Sequence, residues 1–187
     1  MIDRFLEFVS AKRIQLVAEA YSNWLKPGAI VLDIGCGDGI LTQALKEKFK
    51  LKVTGCDVKN YLIKDIPFVN INSDDLLPFP NNTFDCVFLN DVLHHIDSKK
   101  QLTLLKESAR VSKKMILIFE LKPTIGSYIG DIILNKITHP SIPLPLTLRR
   151  PDEWISIFDK LSLKVETKNI KKSYFSPNSQ VAFTLMK

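Results

Sequence analysis

Apolar positions along the chain keep a helical period at first and then break into short strand-like runs. From Asp3 to Trp24 they recur at Phe5, Val9, Ile14, Val17, Tyr21 and Trp24, close to a 3.6-residue spacing. That pattern predicts one helix with Asp3 as its N-cap, ended by Pro27-Gly28. Short apolar runs follow at residues 30–34, 51–58, 67–71, 85–89 and 115–120. The last of these is apolar without alternation, as a strand covered on both faces should be. Residues 40–46 and 99–111 have helical spacing, the second with Leu102, Leu105 and Ala109 on one face and Ser98 as N-cap. Five strands interleaved with helices predict an α/β, doubly wound, parallel sheet.

The pattern loosens between residues 122 and 150, a stretch longer than one crossover needs. Residues 128–137 are apolar enough for a short helix. Pro140, Pro143 and Pro145 exclude a helix or a central strand from the segment after it. Pro151, Asp152 and Glu153 then open a helix through Phe158 to Leu161, with proline in the first turn and acids at the positive end of the dipole. Two last strands are predicted at 163–167 and 181–186, with 173–179 as the loop of a hairpin. The expectation is one domain over residues 1–187, with 123–150 inserted above the carboxyl edge of the sheet.

The composition adds few constraints. A chain of 187 residues, 45% hydrophobic and 25% charged, suits one globular domain with a sizeable core. No apolar run approaches the roughly 20 residues of a membrane span, and no signal-peptide pattern opens the chain. Cys36, Cys56 and Cys86 lack C-x-x-C spacing and fall at or near strands, which reads as buried free thiols in a reducing, cytoplasmic compartment. A zinc site made by them with His94, His95 or His139 is remote, and no metal is expected. The net charge of +6 leaves a nucleic-acid partner open without favouring it. Its clusters, Lys99-Lys100, Lys113-Lys114, Arg149-Arg150 and Lys171-Lys172, are spread out and not interleaved with aromatics.

The chemistry concentrates where the first strand runs into a helix, at Asp33-Ile34-Gly35-Cys36-Gly37-Asp38-Gly39. Glycine lets the main chain approach a ligand, and the helix start offers free N–H groups. The dinucleotide fingerprint G-x-G-x-x-G fails, because Ile40 stands where its third glycine belongs. No Gly-Lys-Ser or Gly-Lys-Thr of a P-loop occurs either. Asp33 at the strand end would repel a pyrophosphate and pair with an ammonium. Asp57, about twenty residues past the glycines, stands where an α/β nucleotide site needs an acceptor for ribose hydroxyls. A solvated loop acid is the plainer alternative.

The pattern D-x-G-x-G-x-G resembles motif I of the class I S-adenosylmethionine-dependent methyltransferases. Phe84-Asp85-Cys86-Val87 followed by Leu93-His94-His95 resembles motif IV of their small-molecule branch. The resemblance implies a mostly parallel seven-stranded sheet with an antiparallel last strand, and S-adenosyl-L-methionine as cofactor. It implies that Asp33, Gly35, Cys36, Gly37 and Gly39 wrap the methionine end, and that Asp57 and Val58 meet the ribose. An acid ahead of Leu76-Leu77-Pro78-Phe79 would take the adenine amino group. Asp74 and Asp75 compete for that role, because Asp74 lies one residue closer to Pro78 than the family pattern, and a two-acid surface turn is the alternative. Asn90 and Asp91 would line the transfer point, with His94 or His95 as a base, unless the pair only caps or fills space. The leading helix would lie across the cofactor, and the 123–150 insertion would form an acceptor lid, or serve only packing or dimer contact. The implied function is methyl transfer to a small, apolar or amphipathic acceptor. RNA methylation and a non-catalytic cofactor-binding module are the rivals. The Asn-Pro-Pro-Tyr motif of base methylation is missing, and position 90 begins Asn-Asp-Val-Leu instead. NAD-linked oxidoreduction is disfavoured by the glycine spacing.

Overall fold

The computed structural model describes residues 2–72, 76–138, 146–170 and 179–187, of which 2–9, 134, 135, 137 and 138 are described by their backbone alone. Seven strands form one sheet in the order β3-β2-β1-β4-β5-β7-β6. They are β1 (Ile30–Ile34), β2 (Lys52–Asp57), β3 (Phe68–Asn70), β4 (Phe84–Asn90), β5 (Ser112–Leu121), β6 (Lys164–Asn169) and β7 (Gln180–Met186). The first five run parallel, and β7 is antiparallel to both β5 and β6. This is the expected doubly wound sheet with its antiparallel last strand. The chain order reverses between β1 and β4, so their carboxyl ends flank the crevice in which open α/β sheets bind ligands.

The helices are α1 (Ile2–Tyr21), α2 (Ile40–Phe49), α3 (Ser98–Val111), α4 (Ile125–Thr138) and α5 (Pro151–Phe158). Alternation along β1 divides the core. Val31 joins Phe88, Leu117 and Phe119 beneath α1 and α2, with Val17, Tyr21, Leu41 and Leu45. Leu32 and Ile34 join Val87, Leu89 and Ile118 beneath α3 and α5, with Leu105, Trp154 and Phe158. The central strands are apolar on both faces because helices cover both.

Several expectations shift. No helix links β2 to β3 or β3 to β4 among the described residues, where Pro67, Pro78 and Pro80 interrupt the chain. Asp3 falls inside α1 instead of capping it. Asp97 caps α3, its carboxylate accepting the Lys99 N–H at 2.8 Å, while Ser98 is the first helical residue. The expected loop at 173–179 lies, except for Ser179, outside the described residues. All three cysteines are buried and free, and burial pushes each thiol pKa well up, that of Cys36 to about 12.

Candidate active site

The turn from β1 into α2 uses a left-handed backbone at Gly35, Gly37 and Gly39, with φ of +70°, +53° and +78°. Two of these glycines are also packed tightly. A Cβ on Gly35 would stand 2.5 Å from Val92 Cγ2, and one on Gly39 would stand 2.7 Å from Leu62 Cδ2. Gly37 differs, since a Cβ there would meet nothing within 4 Å. Its bare backbone faces open space.

Hydrogen bonds to β2 hold this loop. The Gly35 and Cys36 N–H groups both donate to the Cys56 carbonyl, at 2.8 and 3.2 Å. The Gly37 N–H donates to Asp57 Oδ2 at 3.0 Å, and the Val58 N–H donates to Asp57 Oδ1 at 2.7 Å. Asp57 therefore braces the glycine loop, and a carboxylate oxygen can accept more than one hydrogen bond. Cys36 turns its Sγ against Gly55, where an added Cβ would lie 2.8 Å away, so its backbone is what the loop offers a ligand. Asp38 Oδ1 accepts the Ile40 N–H at 2.9 Å, substituting for the side chain that Gly39 lacks at the start of α2.

Beneath the loop, Asp33 is buried and Thr42 Oγ1 donates to its Oδ2 at 2.5 Å. Burial raises its carboxyl to about 6, although Thr42, Arg13 and Asn90 pull the other way. Asp33 Oδ1 and Asn90 Nδ2, at the ends of adjacent strands, are both buried and make no well-formed hydrogen bond, although Asn90 lies near enough to lower the Asp33 pKa. One is an acceptor and the other a donor. A ligand carrying an ammonium and an acceptor oxygen complements such a pair, whereas unpaired burial is costly.

Helix α1 closes over this point through two residues that the periodic pattern did not mark as chemical. Tyr21 donates its hydroxyl to Asn90 Oδ1 at 2.7 Å. Arg13 donates from Nε to Asp91 Oδ2 at 2.8 Å and from Nη2 to the Asn90 carbonyl at 3.3 Å. Asp91 holds a left-handed φ of +55°, and its N–H donates to the Phe119 carbonyl at 2.8 Å. Nothing in the sequence pattern set Arg13 apart from its neighbour Lys12, which stays on the surface with Gln15.

After Asp91 the chain makes a 3₁₀ turn, Leu93–His95. Glu120, wholly buried near the end of β5, organises it. One carboxylate oxygen accepts the Val92 and Leu93 N–H groups at 3.1 and 2.7 Å, and the other meets His94 Nδ1 at 2.6 Å. Burial by itself would lower the His94 pKa, but Glu120, Asp131 and Asp91 outweigh it and raise it to about 10. His94 therefore does not fit the expected role of general base, because a protonated, enclosed imidazole has no lone pair to offer. His95 is partly exposed and packs on His94 with ring centroids 4.0 Å apart. Gln101 and Thr147 fasten the turn from outside, Gln101 Nε2 donating to the Leu93 carbonyl at 2.9 Å and Thr147 N–H to the His94 carbonyl at 2.8 Å.

On the expected adenine side, Asp74 and Asp75 lie outside the described residues, and Leu76 is exposed. The segment after them is anchored by α3. Glu107 Oε2 accepts the Leu77 N–H at 3.0 Å, and Arg110 donates to the Leu77 and Phe79 carbonyls at 2.9 and 2.8 Å.

A family model described as a methyltransferase domain matches residues 32–118, from β1 through the middle of β5. That part of the chain is thus similar to a methyltransferase domain. The matched span takes in the glycine loop, Asp57, Asn90 and the histidine pair. The chain is similar over nearly all of its length to a SAM dependent methyltransferase from Archaeoglobus fulgidus, with a TM-score of 0.70 at 20% identity, covering 97% of this chain and 94% of that one. At that identity the likeness establishes the fold. Among curated proteins, the arginine-hydroxylase NDUFAF5, mitochondrial, of Rattus norvegicus is 40% identical over 74 residues, which span 36% of this chain and 22% of that protein. The probable tRNA methyltransferase 9B of Homo sapiens is 33% identical over 95 residues, 46% of this chain and 19% of that protein. The chain thus spans about a fifth of the length of these curated relatives.

Proposed function

We propose that the chain is an S-adenosylmethionine-dependent methyltransferase acting on a small, apolar or amphipathic acceptor. One observation carries this reading: the open backbone at Gly37 is braced by Asp57, and the same strand ends hold a buried acceptor (Asp33 Oδ1) and a buried donor (Asn90 Nδ2) that make no well-formed hydrogen bond. An amino-acid ammonium and an ether or carboxylate oxygen satisfy those two groups, and the acceptor-only carboxylate of Asp57 suits a ribose diol. The residues present fit S-adenosylmethionine. When bound, that cofactor supplies an electrophilic methyl on a sulfonium.

The protein's own part is to bind, align and exclude water. Gly35, Gly37 and Gly39 would let the backbone reach the methionine end, and Asp33 would hold its ammonium. Asp57 would orient the ribose while bracing the loop. Arg13 and Tyr21 draw α1 across the ends of β1 and β4, which supports a role for that helix in closing the site. Of the two histidines, His95 is the one an acceptor can reach. Asp131 of α4 lies beside the histidine pair, which supports an acceptor-side role for the 123–150 segment.

Calorimetry with S-adenosylhomocysteine tests the reading. Micromolar binding by the wild type that is lost in Asp57→Ala supports it, and a folded protein that gives no heat overturns it. A second reading, RNA as acceptor, draws on the net charge of +6 and on the name of the tRNA methyltransferase relative. Retention on RNA that falls steeply with salt would favour it, because phosphate contacts release counterions.

A further inference from the structure

Three donor atoms converge just beyond the end of β4. His94 Nε2 lies 3.6 Å from Asp131 Oδ1, and His95 Nε2 lies 3.9 Å from the same oxygen. All three atoms fall within 4.8 Å of one another. They come from separate elements, the histidines from the turn after β4 and the carboxylate from α4. A first-row cation with ligand bonds of about 2.0–2.2 Å holds tetrahedral neighbours roughly 3.4 Å apart, so the group closes on an ion with shifts under about 1 Å.

The second observation is the setting of His94. Its side chain is wholly buried, and Nε2 has no hydrogen-bond partner and is turned toward Asp131. Nδ1 is already engaged by Glu120 at 2.6 Å, and the other Glu120 oxygen is fixed by two backbone N–H groups. A carboxylate behind a histidine is how metal-binding imidazoles are oriented and made better donors. A second grouping, Asp91 with His94 Nδ1 and Glu120, is less suitable, because the Glu120 oxygens are already taken by the backbone and by Nδ1.

We propose that His94, His95 and Asp131 bind one divalent first-row transition ion, with Glu120 as the outer carboxylate that orients His94. Two imidazoles and one carboxylate select Zn²⁺, Co²⁺, Fe²⁺ or Mn²⁺ over Ca²⁺ or Mg²⁺. Three protein ligands leave positions open for water or for an oxygen or nitrogen of the acceptor. Binding replaces the proton on His94 Nε2 with the ion, and Nδ1 keeps its proton toward Glu120.

The test is a titration of the chelator-stripped, full-length protein with Co²⁺, whose visible bands report ligand type. One ion per chain with nitrogen–oxygen ligand-field bands is expected, without the near-ultraviolet band of a thiolate. His95→Ala, at a partly exposed side chain, and Asp131→Asn, which keeps the shape of a buried one, should each weaken binding at least about tenfold while circular dichroism stays unchanged. Zn²⁺ should displace the colour. Binding that survives the double variant, a thiolate band, or no visible band at millimolar Co²⁺ from folded protein overturns the site. Calorimetry with S-adenosylhomocysteine on the same sample separates this from the methyltransferase reading. A protein that binds the nucleoside yet takes no Co²⁺ loses the metal site alone.

Discussion

Arg13 and Asp91, 78 positions apart, meet at 2.8 Å and tie α1 to the bend that follows β4. The pair does two jobs, since Asp91 also holds a left-handed backbone that only glycine takes at no steric cost. Arg13→Ala should release α1 and weaken S-adenosylhomocysteine about tenfold, in line with losing one charged hydrogen bond that is partly open to solvent. Asp91→Gly and Asp91→Ala should lose affinity equally, with the alanine variant less stable by about 1 kcal/mol. Calorimetry and urea unfolding check both, and equal stability would remove the backbone argument.

The three glycines separate folding from binding. Alanine at Gly35 meets Val92 Cγ2 at 2.5 Å as well as an unfavourable φ, so Gly35→Ala should unfold or melt well below the wild type. Gly37 has the same sign of φ and open space beyond it. Gly37→Ala should therefore stay folded, at a cost of about 1 kcal/mol, and lose cofactor binding because the new methyl occupies the cradle. Thermal melting beside calorimetry reads the two apart. A Gly37→Ala protein that binds like wild type would place the ligand elsewhere.

The reach of the sequence differs between these residues for a physical reason. The glycine run, Asp33 and Asp57 sit at strand ends, and both period and composition mark strand ends locally. The sheet itself followed from apolar runs that cover both faces of β1, β4 and β5. By contrast, Tyr21 with Asn90, Arg13 with Asp91, and His94 with Glu120 and Asp131 pair positions that only the strand order brings together. Glu120 closed an apolar run and gave no sign that it would organise a turn 26 positions earlier. A histidine near neutrality is a natural base, so the sequence leaves His94 and His95 equal candidates beside a capping or space-filling role, and only the burial of His94 among carboxylates separates them. Among the described residues no helix flanks β3, because prolines at both of its flanks override the alternation expected of the fold.

Glu107 and Arg110 should control the order of the segment from Leu77 to Asn81. Arg110 reaches two carbonyls and the Asn81 side chain while pairing with Glu107, a fork that lysine cannot copy. Arg110→Lys should leave the melting temperature within a few degrees yet speed amide exchange at Leu77, whose N–H rests on Glu107. The Arg110 hydrogen bond holds the Glu107 carboxyl below its usual range. A lowered folded-state pKa means this stabilisation is present above the unfolded value near 4.5 and lost as pH falls through the folded one. Exchange at Leu77 should accordingly rise in acid, and a flat profile in the wild type would separate the segment from this pair.

Asp33 should make the ligand-free protein less stable as pH rises. Its carboxyl titrates near 6 in the fold against 3.8 unfolded, chiefly because it is buried. A raised folded-state value means the native state holds a proton the unfolded chain has already lost. The stability from the neutral acid is complete below about pH 4 and disappears as pH rises through about 6, a difference of about 3 kcal/mol. Asp33→Asn keeps an oxygen for Thr42 and carries no charge. It should unfold at higher urea than wild type at about pH 7.5, match it near pH 4, and bind S-adenosylhomocysteine far more weakly. Saturating the wild type with that ligand should flatten the same pH slope, because an ammonium beside Oδ1 removes the cost of the charge. Urea curves from about pH 4 to 8 for both proteins decide it. An Asp33→Asn protein that is weaker than wild type at the alkaline end and keeps the wild-type slope would mean that the buried carboxylate is stabilising and is not held in reserve for a cation.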